Sequence, residues 1–352
     1  MLSVIIPTYN EKDSVLSTIK ELKKNIKGIK HEIIVVDDDS PDETWRVVND
    51  SGISHVRCIR RVNDKGLSSA VIRGFSEAKY DYLLVLDADN QHDSSIIKEM
   101  LKHKNCDFVV GSRFVRGGGV SGWSKKRVFM SRFAALLSRP LFSASVNDPM
   151  AGFFLTNKSV FNKVKNDLSG RGFKIFLEMF FVLESKKKVK IKEVPYVFRI
   201  RKRGESKLGI NVIIAYLVML FSFALKKYAT LFKFLVVGAS GVVVNTGILW
   251  LLTERFDLFY VLSGIIATEL AIISNFLLNN FWTWKSRAKK YSFFKRLVSF
   301  NGVSLVGLGI SVSVLWLLTE LGVYYLLSNF IGIIIAATWN YLANDKFTFK
   351  GV

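Results

Sequence analysis

The chain has 352 residues, of which 50 are Lys or Arg and 29 are Asp or Glu, so its formal net charge is +21. Its mean hydropathy is nevertheless positive, at +0.26, so apolar and basic residues must occupy separate stretches of the sequence. The length predicts two or three domains, and the charge predicts anionic partners such as lipid headgroups or phosphates. No nucleic-acid-binding motif accompanies the basic clusters, and we therefore expect no nucleic acid partner.

The N-terminus has no basic segment followed by an apolar segment of signal-peptide length. The front half of the chain is therefore expected to stay on the side of the membrane where it is made. The two cysteines, Cys58 and Cys106, form no disulfide framework, and we predict that both are reduced residues of the core.

The first 110 residues alternate between short β-branched runs and helical patterns. Two helices are predicted at 14–27 and 67–79. Strands are predicted at 2–7, 32–36, 55–59, 82–86 and 107–110. This alternation predicts an α/β domain with a mostly parallel sheet, which binds its ligands at the carboxyl ends of the strands.

Acidic side chains follow two of these strands, in the motifs DDD at 37–39 and DAD at 87–89. No GxGxxG motif follows the first strand, which argues against a nicotinamide or flavin cofactor. Because carboxylates crowded at one edge of a sheet need a cation, the two motifs together predict Mg²⁺ or Mn²⁺, with Gln91 among the oxygen ligands. We expect the neighbouring His92 to support the site rather than to bind the metal.

Longer stretches of the front half resemble glycosyltransferase family 2: SVIIPTYNE at 3–11, IIVVDDDSPDET at 33–44 and LDAD at 86–89. Further motifs resemble the polyprenyl-phosphate (dolichol-phosphate) mannose synthases within that family. These motifs are GSRF at 111–114, GGGVSGW at 117–123 and RGESKLG at 203–209. The resemblance extends to about residue 210. It implies the nucleotide-diphospho-sugar transferase (GT-A) fold and a metal-dependent transfer of mannose from GDP-mannose.

The resemblance also implies which residues form the site. The implied donor-binding residues are Pro7, Tyr9, Glu11, Val36, Asp38, Asp87, Ala88, Asp89, Arg113, Arg201 and Lys207. Asp89 and Gln91 are implied to bind the metal, and the implied catalytic residues are Asp89, Arg201 and Lys207. Asp39 departs from the family, which usually has glycine at this position.

Basic residues also flank the stretch 128–145, in which arginines interrupt aromatic and aliphatic residues. We interpret this stretch as a helix lying in the membrane interface, with a buried helix of the soluble domain as the alternative. Residues near its start are candidates for binding the acceptor phosphate, with simple contact to lipid headgroups as the alternative. They are Arg116, Arg127, Ser131 and Arg132.

The last 120 or so residues contain two copies of one membrane hairpin. The string LWLLTE occurs at 249–254 and again at 315–320, and NFLLNN at 275–280 corresponds to NYLAND at 340–345. This region is similar to GtrA-type membrane domains. Transmembrane helices are predicted at about 232–253, 259–281, 297–319 and 323–344.

The segment 285–296 between the hairpins is strongly basic and has no acidic residue, whereas the turns within the hairpins carry a single Arg. The positive-inside rule places this segment, the catalytic domain and both termini in the cytoplasm. The apolar run 212–225 is short for a crossing, and we interpret it as an interfacial helix. The predicted divisions are a catalytic domain at 1–210, an amphipathic interfacial helix and linker at 211–230, and a membrane domain at 231–352.

The expected reaction is the inverting transfer of mannose from GDP-mannose to dolichyl or polyprenyl phosphate at the lipid bilayer, with no obligate protein partner. A lipid phosphate is an anion at neutral pH, so the transfer requires charge neutralisation rather than a general base. One alternative is a polyprenyl-phosphate glucose synthase that uses UDP-glucose, and another is a carrier or flippase of lipid-linked sugar. The QxxRW segment of polymer-forming synthases is absent from the sequence.

Overall fold

The computed structural model describes residues 1–170, 172–200, 210–287 and 292–350. The chain divides into two compact units, at 1–223 and 224–352.

The first unit is built on a seven-stranded sheet with the order β3-β2-β1-β4-β7-β5-β8. Only β7 runs antiparallel to its neighbours, and a separate parallel pair joins β6 to β9. The α/β fold and the five predicted strands are confirmed, to within two residues at each end. The strands are β1 (Leu2–Thr8), β2 (His31–Asp37), β3 (Val56–Arg60), β4 (Tyr82–Val85), β5 (Phe108–Ser112), β6 (Gly119–Val120), β7 (Phe154–Asn157), β8 (Ile191–Pro195) and β9 (Val197–Phe198).

Helices cover both faces of this sheet, which explains why its central strands are mostly apolar and lack a polar, solvent-facing side. All seven residues of β1 are buried. Alternate residues enter two separate cores, with Ile5 and Ile34 in one and Val4 and Ile33 in the other. The helices are α1 (Lys12–Asn25), α2 (Thr44–Asp50), α3 (Leu67–Glu77), α4 (Ile97–Lys102), α5 (Lys125–Ser138), α6 (Lys158–Val164), α7 (Ile175–Glu184) and α8 (Ile210–Lys227).

The strand pairing determines where the functional residues lie. The strands β1, β2 and β4 are parallel, and Thr8 at the end of β1 pairs with Asp37 at the end of β2. The segments that follow these three strands therefore emerge at one edge of the sheet. This is the edge at which parallel α/β sheets bind their ligands.

Helix α5 differs in its bounds from the helix predicted at 128–145. It begins at Lys125, where the Ser124 hydroxyl accepts a hydrogen bond from the Arg127 N–H, and it ends at Ser138. Pro140, which cannot continue an α-helix, then sits in a short 3₁₀ turn. Only Ala135 and Ser138 of α5 are buried, so the alternative of a buried helix is wrong. Its exposed apolar side chains are Phe129, Met130, Phe133, Leu136 and Leu137.

Helix α8 covers the run that we interpreted as an interfacial helix. Tyr216 donates a hydrogen bond from its hydroxyl to the Ala134 carbonyl oxygen of α5, and Phe223 stacks on Phe181 of α7 at 4.1 Å between ring centroids. The other side of α8 carries exposed apolar residues: Ile213, Ile214, Leu217, Val218 and Phe221. Helices α5 and α8 thus pack against each other and both leave apolar surface uncovered.

The second unit contains four helices that are long and apolar enough to span a membrane, which confirms the four predicted spans and an integral membrane protein. They are α9 (Ala229–Phe256), α10 (Tyr260–Leu278), α11 (Phe293–Glu320) and α12 (Tyr325–Ala343). Each hairpin ends in a π-helical turn, at Asn279–Thr283 and at Asn344–Thr348.

Packing in this unit repeats with the sequence. In the first hairpin a Cβ on Gly241 would lie 2.4 Å from the Asn275 amide, and in the second a Cβ on Gly307 would lie 2.4 Å from the Asn340 amide. Glycine is therefore needed at both positions for the paired helices to approach closely. The two hairpins meet in an aromatic cluster formed by Phe234, Phe276, Trp284, Phe300 and Phe349.

Candidate active site

A cavity of about 810 Å³ lies in the first unit, at the edge of the sheet where β1, β2 and β4 end. Many of the residues expected to bind the donor or the metal line it. They are Pro7, Tyr9, Glu11, Asp38, Asp87, Ala88, Asp89, Gln91 and Arg113. The structure therefore brings together residues that are up to 106 positions apart in sequence.

Three of the expected donor-binding residues are not in this group. Val36 is fully buried in a core beneath the sheet, because side chains alternate along β2 and this one faces inward. Arg201 and Lys207 lie outside the described residues.

The first two carboxylates of the acidic motif after β2 accept hydrogen bonds from other groups of the protein. Asp37 accepts hydrogen bonds from the Thr8 hydroxyl, at 2.8 Å, and from the N–H and hydroxyl of Ser40, at 2.8 and 2.6 Å. Asp38 accepts from Arg61 Nε at 2.8 Å and from the Gly66 N–H at 2.7 Å. The premise that the carboxylates of this motif are unpaired is therefore wrong, and the expected metal ligands, Asp89 and Gln91, belong to the other motif.

Asp39, the departure from the family pattern, points away from this buried network. Its carboxylate contacts Arg60 at 2.6 Å and Lys65 at 3.5 Å, and hydrogen bonding to Arg60 lowers the pKa of Asp39. Its φ angle is +55°, a left-handed conformation that glycine adopts without strain. This backbone geometry gives a physical reason for the glycine that the family usually has here.

The acidic motif after β4 faces the cavity. Asp89 Oδ1 accepts a hydrogen bond from the Gln91 N–H at 3.1 Å, and Gln91 Nε2 donates to the Arg199 carbonyl oxygen at 2.9 Å. The Gln91 amide oxygen is therefore the end of that side chain able to bind a cation. Asn90, between them, has a φ angle of +60°, which produces the tight turn that aligns these side chains.

His92 supports this motif from beneath. Its Nδ1 accepts a hydrogen bond from the Asp87 N–H at 3.1 Å, so the ring proton is on Nε2, which lies 3.7 Å from Asp87 Oδ2. Burial lowers the pKa of His92 to about 4, so the ring is neutral at neutral pH. The ring stacks on Phe153 at 5.2 Å between centroids. It is thus placed to orient Asp87.

The donor set of this motif fits Mg²⁺ or Mn²⁺. Within the described ranges, no three His, Cys, Asp or Glu side chains form a group able to hold a metal ion. The motif instead offers the carboxylates of Asp87 and Asp89 and the amide oxygen of Gln91. Hard cations accept such an incomplete set of oxygen ligands when phosphate oxygens complete it.

Cationic groups line the same cavity. Arg113 is held by Asp148, which accepts from Nε and from an Nη at 2.7 Å each. Burial opposes the charge of Arg113, but the hydrogen bonds and the negative charge of Asp148 raise the pKa of Arg113 above its usual value. Arg127 lies over the Trp123 ring at 4.2 Å. Lys65 and Lys174 also line the cavity.

Of the candidates for the acceptor phosphate, Arg127 alone is among the lining residues. Arg116 and Arg132 are exposed, Arg132 lies over the Phe114 ring at 5.7 Å, and Ser131 is half-buried on α5. The sequence reasoning also missed lining residues that lie in no recognised motif. They include Lys65, Phe173, Lys174, Tyr196 and Phe198. Basic and aromatic residues occur throughout the sequence, so no local signal identified these five.

Comparisons with known proteins agree with this architecture. Residues 3–165 match the family described as glycosyl transferase family 2, and residues 233–351 match the GtrA/DPMS transmembrane domain. A solved structure of glucosyl-3-phosphoglycerate synthase from Mycobacterium tuberculosis, in complex with Mn²⁺, UDP and phosphoglyceric acid, is 18% identical. The match covers 64% of this chain and 78% of that chain, with a TM-score of 0.49.

Two curated proteins give longer or closer sequence matches. The dolichol-phosphate mannosyltransferase of Pyrococcus furiosus is 38% identical, over 99% of this chain and 99% of its own length. The dolichol-phosphate mannosyltransferase of Saccharomyces cerevisiae is 39% identical, over 62% of this chain and 85% of its own length. With its glycosyltransferase unit and its own membrane domain, the chain belongs to the family of dolichol-phosphate mannosyltransferases.

Proposed function

We propose that this glycosyltransferase moves mannose from GDP-mannose to the phosphate of dolichyl or another polyprenyl phosphate, with inversion at the anomeric carbon. The observation that carries the proposal is the acidic β4 motif, which opens into a cavity that also holds Arg113 and Lys174. A cavity with both carboxylates and cations suits a reaction between two phosphate-bearing substrates. The full-length relative named dolichol-phosphate mannosyltransferase supports this choice of reaction.

The nucleoside of the donor is placed at the ends of β1 and β2. Pro7, Tyr9 and Glu11 line that part of the cavity together with Asp38. Arg61 and the Gly66 N–H fix the Asp38 carboxylate, so it is held in one orientation before the donor arrives. The segment with Arg201 and Lys207 is assigned to the donor through the family resemblance.

The diphosphate of the donor is placed along the motif DAD at 87–89. Asp89 and Gln91 would hold Mg²⁺ or Mn²⁺ there, with Asp87 beside them oriented by His92. Such a cation, when bound, neutralises the phosphate oxygens and stabilises the leaving nucleoside diphosphate.

The transfer itself requires little proton chemistry from the chain. An acceptor phosphate oxygen forms the new bond to the anomeric carbon, while the bond from that carbon to the diphosphate oxygen breaks and its electron pair leaves with GDP. A direct displacement of this kind inverts the carbon and gives a β-linked mannosyl phosphate. The contribution of the protein is to hold two anions close together, and Arg113, kept charged by Asp148, is suited to that task.

Helices α5 and α8 are proposed to rest in the membrane interface. The exposed aromatic and aliphatic side chains of α5 alternate with Arg132 and other basic groups, which is the pattern of a helix lying at a lipid surface. Arg127 lies at the start of α5 and also lines the cavity, and it is therefore the best-placed candidate to guide a lipid phosphate inward. The basic segment at 285–296 supports a cytoplasmic catalytic unit with both termini on the same side.

The proposal is tested with purified full-length protein, dolichyl phosphate and Mn²⁺, with radiolabelled GDP-mannose in one reaction and UDP-glucose in another. We expect a β-mannosyl lipid from GDP-mannose only, and we expect EDTA to abolish its formation. A glucolipid from UDP-glucose would contradict the donor assignment. Absence of glycolipid with either donor would contradict the enzyme and favour the carrier alternative.

A further inference from the structure

Lys174 is a cavity residue that no sequence motif identified. It immediately precedes α7, and its half-buried side chain lines the cavity together with Asp87 and Arg113. Its Nζ donates one hydrogen bond, to the Met150 carbonyl oxygen at 3.3 Å. An ammonium group has three N–H donors, so this one neutral contact leaves most of its capacity unused.

The other cations of the cavity differ in how their charge is compensated. Arg113 is paired with Asp148 at 2.7 Å, and Lys65 lies 3.5 Å from Asp39. Arg127 is exposed. In the part of the chain that the structure describes, no carboxylate lies within 4.0 Å of Lys174 Nζ. Lys174 is therefore a recessed cation that no carboxylate of the described residues compensates within 4.0 Å.

Its surroundings make this arrangement unfavourable without a ligand. Burial lowers the pKa of Lys174, and the positive charge of Arg113 lowers it further, while Asp87 and Asp148 act in the opposite direction. Partly removing an ammonium group from water, with one carbonyl partner among the described residues, costs free energy that an anion can offset. The position also adjoins the N-terminus of the ten-residue helix α7, whose backbone dipole favours an anion.

We propose that Lys174 binds the phosphate of the acceptor lipid, an inference that rests on the proposed function. The donor diphosphate would have a partner in a cation held by Asp89 and Gln91, as proposed above. The acceptor phosphate must approach the same carboxylates and has no such partner, so it needs a cation supplied by the chain. Phe173, next to Lys174, lines the cavity and is 48% exposed, which gives the adjoining lipid an apolar contact.

The test uses the full-length protein and three variants, Lys174→Met, Lys174→Arg and the exposed control Lys165→Met. Binding of farnesyl phosphate, inorganic phosphate and GDP-mannose is measured by calorimetry with Mg²⁺ present, and KM and kcat are measured with dolichyl phosphate. Loss of one charge-assisted hydrogen bond predicts that Lys174→Met weakens farnesyl phosphate binding about tenfold to a hundredfold. We expect GDP-mannose binding to stay within about twofold, and Lys174→Arg to recover part of the acceptor affinity.

Other outcomes overturn the inference. A loss of GDP-mannose affinity in Lys174→Met would assign this cation to the donor, and unchanged affinity for farnesyl phosphate would exclude a role with the acceptor. Inorganic phosphate binding equal to that of farnesyl phosphate would point to a free-phosphate site instead. Turnover of the unmodified protein in the same preparation tests the proposed function separately, because a protein that transfers no mannose contradicts that function whatever the affinities are.

Discussion

The two acidic motifs that follow β2 and β4 look alike in sequence and differ in the folded protein. After β2, Asp37 and Asp38 are held by Thr8, Ser40, Arg61 and the Gly66 N–H. After β4, the motif DAD at 87–89 lines the cavity with its carboxylates beside Gln91. An acidic strand end is therefore evidence for a cation site only when the donors around it are known.

The two motifs therefore have different roles in the protein. The β2 motif stabilises the loop at 60–66, which covers one side of the cavity through Lys65 and Gly66. The β4 motif is the one that we propose to hold the cation. Substitutions in the β2 motif should affect stability and, through Asp38, the affinity for the donor nucleoside, whereas substitutions in the β4 motif should mainly affect the rate of transfer.

The largest effect is expected for Asp89→Ala. Removal of a ligand to the proposed cation should lower kcat by about a thousandfold or more, since electrostatic stabilisation of the leaving group is lost. Radiolabelled transfer to dolichyl phosphate measures the loss, with Asp50→Ala, an exposed acid at the end of α2, as the control. If Asp89→Ala transfers mannose at a rate within a few-fold of that of the unmodified protein, the β4 motif has no role in catalysis.

The second prediction concerns Arg61→Met in the β2 network. Both partners of the Asp38–Arg61 pair are 9% exposed, so the substitution leaves a buried carboxylate without its charge partner. We expect a loss of about 3–5 kcal/mol in the free energy of unfolding. Chemical unfolding of the detergent-solubilised protein measures it, and Arg46→Met, which breaks an exposed pair with Glu43, should change stability by less than about 1 kcal/mol. Equal stability of the two variants would contradict the structural role of the β2 motif.

A smaller effect is expected for His92→Gln. The ring orients Asp87 through a hydrogen bond from the Asp87 N–H and an Nε2 group 3.7 Å from the carboxylate. Loss of such a supporting contact should weaken metal affinity about tenfold to a hundredfold. The Mn²⁺ concentration for half-maximal transfer measures this change. An unchanged concentration would mean that Asp87 keeps its orientation without His92.

The smallest effect is expected for Asp39→Gly. The contacts of Asp39 with Arg60 and Lys65 lie at the surface, where solvent screens the charges, so they should contribute little to stability. Glycine also removes the cost of a φ angle of +55°. The unfolding free energy should therefore change little, and a large loss would place Asp39 within the buried β2 network.

Much of the fold could be predicted because hydrophobic periodicity encodes it. The apolar run of β1 and the repeated string LWLLTE at 249–254 and 315–320 are local signals that need no knowledge of partners. The end of α5 at Ser138 could also have been placed, since Pro140 lies two residues beyond it.

The site was less predictable because its decisive contacts join distant residues. Arg61 is 23 positions from the carboxylate that it neutralises, and Lys174 enters the cavity from the segment before α7. The family motif implied that Val36 binds the donor. Because side chains alternate along β2, however, the Val36 side chain points into the hydrophobic core. Motifs identify residue types at strand ends, whereas the tertiary structure decides which partners those groups receive.

The most direct measurement of the central claim is Mn²⁺ binding followed by electron paramagnetic resonance, with GDP present, in the unmodified protein, Asp89→Asn and Asp38→Asn. We expect one bound Mn²⁺ in the unmodified protein, its loss in Asp89→Asn, and its retention in Asp38→Asn provided that this variant is folded. Retention of Mn²⁺ in Asp89→Asn with loss in folded Asp38→Asn would contradict the account, because the cation would then belong to the β2 motif.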